Sequence, residues 1–159
     1  MDTNKLKKDA AELGLCDKWS QRWEDDTDKS KLMKIAMSLD GMIFMGENEY
    51  PSVGYLLRNV KDICEYHNMF IKKVMPITLD MNSIKSHLIK CRCDVIVPDN
   101  YVGFLYVSYQ SKIDLEIGSN CDVRITCFNT SKINIIKNNS GTPKIEYKQV
   151  KENKNGLQV

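Results

Sequence analysis

The sequence predicts an α+β chain with a helical head over residues 1–75, a repetitive β region over 76–149 and a polar tail over 150–159. Three observations carry that prediction. From Cys91 to Tyr147 the apolar residues recur on a ten-residue rhythm, at the third, fifth and seventh places of each block: Cys93, Val95, Val97; Leu105, Val107; Ile113, Leu115, Ile117; Val123, Ile125, Cys127; Ile133, Ile135; Ile145, Tyr147. Alternation within a block marks a half-buried strand, because successive side chains leave opposite faces. Turn formers separate the blocks: Pro98-Asp99-Asn100, Gly118-Ser119-Asn120, Asn129-Thr130-Ser131 and Asn138-Asn139-Ser140-Gly141. Before residue 71 the apolar spacing is helical instead.

Along the head, Leu6, Ala10 and Leu13 share one helical face, and Gly14 is placed to end that helix in a left-handed cap. Asp17 is placed to cap a short second helix in which Trp19 and Trp23 are four residues apart, so they meet on one side. Asp28 or Ser30 caps a third helix with Leu32, Ile35, Ala36 and Leu39 on its inner face and Gly41 past its end. Met42–Met45 is short and apolar, readable as a strand or a buried connector. Pro51 and Ser52 open a fourth helix carrying Val53, Leu56, Leu57, Val60, Ile63 and Cys64, which stops near His67-Asn68. Met69–Leu79 reads as extended, with Pro76 excluding a helix interior. Ser83–Lys90 is compatible with either state.

Two architectures fit ten-residue blocks: an antiparallel meander and a β-solenoid with two blocks per coil. The solenoid is favoured by one recurrence. Ser111-Lys112-Ile113 returns as Ser131-Lys132-Ile133, two blocks later. Stacked coils then bring Val95, Leu115 and Ile135 into one interior column, and Leu105, Ile125 and Ile145 into another, each of similar volume. The connections also lack the Asn-Gly and Asp-Gly pairs of tight hairpins. The helices are expected to cover either an end or a face of this β region, because an open end leaves unpaired strand groups.

Composition narrows the function. A hydrophobic fraction of 42% and a charged fraction of 28% are those of a globular domain. The net charge of +2, with Lys and Arg interleaved with Asp and Glu, argues against nucleic acid. The first residues carry no apolar stretch of the signal type, and no run has the length of a membrane span. The expected setting is therefore a cytoplasm, with the six cysteines reduced. His87, Cys91 and Cys93 are the one cluster resembling a metal site, but Cys-Arg-Cys lacks the two-residue spacer of zinc knuckles. Small core side chains are the better reading, so no metal and no cofactor is expected. Neither a nucleophile elbow nor a phosphate loop is present, and the expected protein is not an enzyme.

Aromatic residues are the candidates for binding. Tyr101, Phe104, Tyr106 and Tyr109 crowd one block, with Phe104 and Tyr106 on its outward face, and Trp19 and Trp23 are placed to oppose them. An exposed aromatic patch commonly marks a contact surface; the competing reading is that the helices pack on it. Three stretches together are similar to small uncharacterised proteins of anaerobic gut bacteria and their phages or prophages: Leu13-Gly14-Leu15-Cys16-Asp17-Lys18-Trp19 with Trp23; Gly41-Met42-Ile43-Phe44 leading to Tyr50-Pro51-Ser52; and Val102-Gly103-Phe104-Leu105-Tyr106-Val107. The resemblance implies a helical head before a repetitive β tail, and a phage or mobile-element context that includes incorporation into a virion. It carries over no site residue. The function expected is a structural or binding protein that associates with itself or with another protein; the alternative is an intracellular regulator that docks on a host protein.

Overall fold

A computed structural model describes residues 3–23, 28–141 and 143–151. Among the described residues six helices precede the β region: α1 (Thr3–Glu12), α2 (Asp17–Arg22), α3 (Lys29–Ala36), α4 (Leu39–Asn48), α5 (Val53–Asn59) and α6 (Lys61–Cys64), followed by one 3-10 turn at Glu65–His67. Several of the boundaries follow from local chemistry. Gly14 adopts φ +90° and closes α1, with its own N–H and that of Leu15 bonded back to Ala11 and Ala10. Asp28 caps α3 by accepting from the Lys31 N–H at 2.8 Å, and Ser52 caps α5 by accepting from Tyr55 at 3.2 Å.

The segment Met42–Met45 is neither strand nor connector. It lies inside α4, which Ser38 caps by accepting from the Gly41 N–H at 3.0 Å. Gly41 therefore starts a helix rather than ending one. A Cβ there would stand 2.2 Å from the Ile35 carbonyl oxygen, so the chain turns from α3 into α4 only because position 41 has no side chain.

Nine strands follow among the described residues: β1 (Met69–Ile71), β2 (Ile77–Thr78), β3 (Lys85–Ile89), β4 (Arg92–Val97), β5 (Val102–Ser108), β6 (Lys112–Ile117), β7 (Asp122–Phe128), β8 (Lys132–Asn138) and β9 (Lys144–Lys148). Odd strands form one sheet in the order β1-β3-β5-β7-β9, and even strands form a second, β2-β4-β6-β8. Every pairing is parallel, so the chain winds as a two-sided β-solenoid of roughly four turns. The two expected columns are realised: Val95 pairs with Leu115 and Leu115 with Ile135, while Leu105 pairs with Ile125 and Ile125 with Ile145. The solenoid starts earlier than its rhythm suggests. Its first coil begins at Met69 instead of residue 76, and Ser83–Lys90 supplies β3.

Two apolar layers result. The interior of the solenoid is packed by Leu88, Val95, Val97, Tyr101, Leu105, Val107, Leu115, Ile125 and Cys127. The second layer lies outside the odd sheet, where Met33, Met37, Met42, Met45, Leu56 and Val60 from the helices meet Met69, Ile71, Ile89, Tyr106, Tyr109 and Phe128. Unbranched methionine suits such a junction, because it adapts to the uneven relief between a helix and a twisted sheet. The head thus covers a face of the solenoid. Polar pins fix it there: Tyr109 donates to the Pro51 carbonyl at 3.1 Å, Thr130 Oγ1 donates to Glu49 at 2.6 Å, and Lys151 Nζ pairs with Glu47 at 2.8 Å.

The corners hold the coils in register. The Cys91 N–H donates to Ser111 Oγ at 3.0 Å, and the Ser111 N–H donates to Ser131 Oγ at 3.1 Å, twenty residues further on. Ser111 Oγ in turn donates toward the Ser108 carbonyl at 2.7 Å. At the opposite corner Asn100 and Asn120 both take the left-handed conformation, φ 62° and 57°, which Asn tolerates better than most residues. Replacing Ser111 by Ala strands a fully buried backbone donor at Cys91. The expected loss is about 1–3 kcal/mol, read as the shift of a urea midpoint at unchanged slope. Ser131→Ala, at the less buried next coil, should cost less.

Candidate binding surfaces

The structure separates the aromatic candidates instead of assembling them. Tyr101 is 1% exposed and lies inside the solenoid. Tyr106 and Tyr109 point outward from the odd sheet but are 4% exposed, because the head packs over them. Trp23 is buried within the head beside Leu6, Ala10 and Leu32. It borders an apolar cavity of about 80 Å³, and its indole N–H has no acceptor among the described residues. The side chain of Trp19 lies outside the described residues. The expected aromatic contact surface is therefore corrected: at four of its six positions it is core. For Tyr106 and Tyr109 the physical cause is the apolar outward side chains late in β3, β5 and β7, which leave that face unable to stand in water; Tyr101 packs the solenoid interior and Trp23 the head's own core.

Phe104 alone of the block stays partly accessible. It floors a groove of about 330 Å³ with Arg124, Thr126, Lys144 and Glu146, and the Arg124 guanidinium stands 5.9 Å from its ring centroid. Such a stacked cation adds on the order of 0.5–1 kcal/mol at an exposed site.

His87, Cys91 and Cys93 do not converge. His87 leaves the odd sheet toward the helices, whereas Cys91 belongs to the solenoid interior and Cys93 packs against it. No three His, Cys, Asp or Glu side chains among the described residues gather in the manner of a metal site. Burial pushes the Cys91 and Cys127 thiols up to about 11, so both stay protonated at neutral pH.

One pair has the reach of a nucleophile and its base: His87 Nε2 lies 2.8 Å from Ser108 Oγ. Both residues are 0% exposed beneath the head, and burial depresses the imidazole to about 3. The ring is thus neutral, with an edge toward Tyr106 at 6.1 Å between centroids, and Nδ1 has no partner among the described residues. No substrate reaches Ser108 in this arrangement, and the pair serves to join two strands of one sheet.

Two surfaces stand out that the described residues leave uncovered. The first is the outer face of the even sheet, where Arg92, Lys112 and Lys132 stack in register as a basic stripe. Beside it, two residues along each strand, Asp94, Asp114 and Asn134 stack as an acidic and polar stripe. All six are exposed, and Asn134 donates to Asp114 at 3.0 Å along its stripe. The second is the end of the solenoid at β8 and β9, where Ile133, Ile135 and Ile145 are only partly covered and Tyr147 is 67% exposed. Periodicity identifies the strands that build both surfaces, yet the stripes appear only once parallel stacking sets which residues are neighbours.

No described helix is long and apolar enough to cross a membrane. Searches of protein-family models, of curated proteins and of solved structures find no match to this chain.

Proposed function

We propose that this chain is a non-enzymatic scaffold protein, phage- or prophage-associated, that presents a stiff β surface for assembly with itself or with another protein. One observation carries the reading: the even sheet bears two parallel stripes of opposite character and nothing among the described residues covers them. Like charges on adjacent strands repel, by roughly the 0.2–1 kcal/mol that favourable cross-strand pairs contribute. Stacking three cations in a row is a poor choice for stability alone, and it suits a partner carrying the complementary pattern. The solenoid core holds the spacing of those charges fixed, which is what a recognition surface needs.

The test exchanges the two stripes at their centre. The double variant Lys112→Asp and Asp114→Lys preserves net charge, and both positions are exposed, so the fold is expected to survive within about 0.5 kcal/mol. Particles purified from cells expressing the native chain are expected to contain it, whereas the exchanged variant should be depleted from them. Absence of the native chain from particles, with stoichiometric capture of a cellular protein instead, favours the regulator. Equal behaviour of both chains would remove the stripes as the contact.

A further inference from the structure

We infer that the open end of the solenoid pairs with the same end of a second copy, about a two-fold axis parallel to the strands. The inference deepens the scaffold reading by naming one partner and the surface it uses. It starts from the shape of that end. β9 is the last strand of the odd sheet and β8 the last of the even sheet, so winding places β9 half a coil beyond β8. The end is a step, with one strand edge on each side of the sandwich.

Each edge presents unpaired N–H and C=O groups, a ready template for another strand. Beneath those edges the interior is unfinished. Ile133, Ile135 and Ile145 are half-buried, although their column neighbours Ile113, Leu115 and Ile125 are buried.

Symmetry selects the occupant. A two-fold axis parallel to the strands, crossing the solenoid axis at right angles, carries the even side of the second copy over the odd side of the first. The second copy's β8 then stands above β9, and its β9 stands above β8. The two steps interlock, and both gaps close together at the roughly 4.8 Å spacing of neighbouring strands. An axis normal to the sheets would close the gap at β9 and leave the other short by a whole strand. Because strands on the two sides of the sandwich run in opposite directions, each new pairing is antiparallel, which is acceptable at an edge.

The same axis sets the register. Phe128 and Lys132 flank a short corner, so they lie across the sandwich from each other, and Lys148 stacks directly on Phe128. Stepping back along β9 places Tyr147 level with Ile133 and Ile145 level with Ile135. Rotation about an axis along the strands keeps those levels. Tyr147 therefore meets Ile133 of the second copy, and Ile145 meets Ile135 of the second copy, inward side chain on inward side chain. Outside, Glu146 comes beside Asn134 of the second copy, and Lys148 beside Lys132. This last pairing opposes association, and is moderated by Glu146, which holds Lys148 at 2.9 Å. An isologous contact of this kind closes on itself, and so ends the stack instead of extending it into a fibre.

Light scattering on the full chain over a dilution series provides the test. The expected mass is twice the 18.3 kDa of one chain. Tyr147→Asp, at a position already 67% exposed in the single chain, should weaken the dimer at least about 30-fold without lowering the melting temperature of the monomer. Tyr147→Phe should leave it intact. Lys132→Glu should tighten it, because the register brings that position beside Lys148. A single-chain mass at every concentration overturns the inference, as does a dimer indifferent to both Tyr147→Asp and Lys132→Glu. The two readings fail separately: a monomer found in particles removes the dimer and keeps the scaffold, while a dimer absent from particles does the reverse.

Discussion

Acidification from pH 7.5 to 4.5 is expected to cost the native chain about 2.5 kcal/mol more stability than it costs a His87→Gln variant. The cause is the location of His87, fully buried where the head meets the odd sheet, with burial holding its imidazole near 3 against 6.5 for a free ring. The sign follows from proton counts. Below pH 6.5 the unfolded chain takes up a proton at this position and the folded chain does not, until the pH nears 3. Stability from this group is complete above 6.5 and falls by about 1.4 kcal/mol per pH unit through the window between the two values. Carboxylates titrate in the same range in both proteins and cancel in the difference. Gln retains a group able to bond Ser108 Oγ, so the comparison isolates the charge. Urea midpoints of the two proteins at each pH provide the measurement, and parallel pH profiles would show that His87 is solvated or paired in the fold.

The β region was legible because a solenoid repeats its physics. Each coil meets the same neighbours, so the same residue types recur at the same places, and the Ser-Lys-Ile recurrence reflects the direct stacking of Lys112 on Lys132 and Ile113 on Ile133. The short first coil was not legible in that way. β1 and β2 have only three and two residues, too few to show a period; β1 falls inside the 1–75 head, while β2 lies at the very start of the 76–149 β region. α4 failed for a different reason. Its residues Met42, Ile43, Phe44 and Met45 are continuously apolar, since the helix lies between the rest of the head and the sheet, and a helix buried on opposite sides loses its amphipathic stripe.

The binding surface was only half legible. Outward aromatic residues read as an exposed patch as long as each strand is taken to have one wet face. A contrast between alternate blocks carries the missing information. Outward positions of β4 and β6 hold Arg92, Asp94, Lys112, Asp114 and Glu116, with Ile96 the apolar residue among them, whereas late outward positions of the odd strands hold Ile89, Tyr106, Thr126 and Phe128. A strand apolar on both sides needs a second layer, and the helices were the available one. Sorting the blocks by that contrast locates the head on the odd sheet and leaves the charged stripes free. The half-coil step at β8 and β9 depends on winding, so no one-dimensional pattern displays it.

Replacing Leu115 by Ala should destabilise the chain by about 3–5 kcal/mol, the upper part of the range for a buried leucine, because position 115 is 0% exposed in the middle of the Val95–Leu115–Ile135 column. For a chain of this length, that loss lowers the melting temperature by about 10 °C. The same truncation at Ile135, half-buried on the last rung, should cost less than half as much, and the gap between them measures how far the interior is closed at the open end. Simple solenoids behave as chains of neighbour-coupled repeats and can lose terminal coils alone. Here the head bridges the stack from outside, touching Met69, Ile89, Tyr106 and Phe128 on four successive odd strands. Leu115→Ala is therefore expected to melt in one transition, with hydrogen exchange rising together in the head and in β3 to β7. Gly46→Val should separate the two layers, since a Cβ at position 46 would stand 2.1 Å from the Phe128 ring. In that variant the coils should lose protection from the open end first. A single transition in both variants would mean that the solenoid is cooperative by itself and that the helices only cover it.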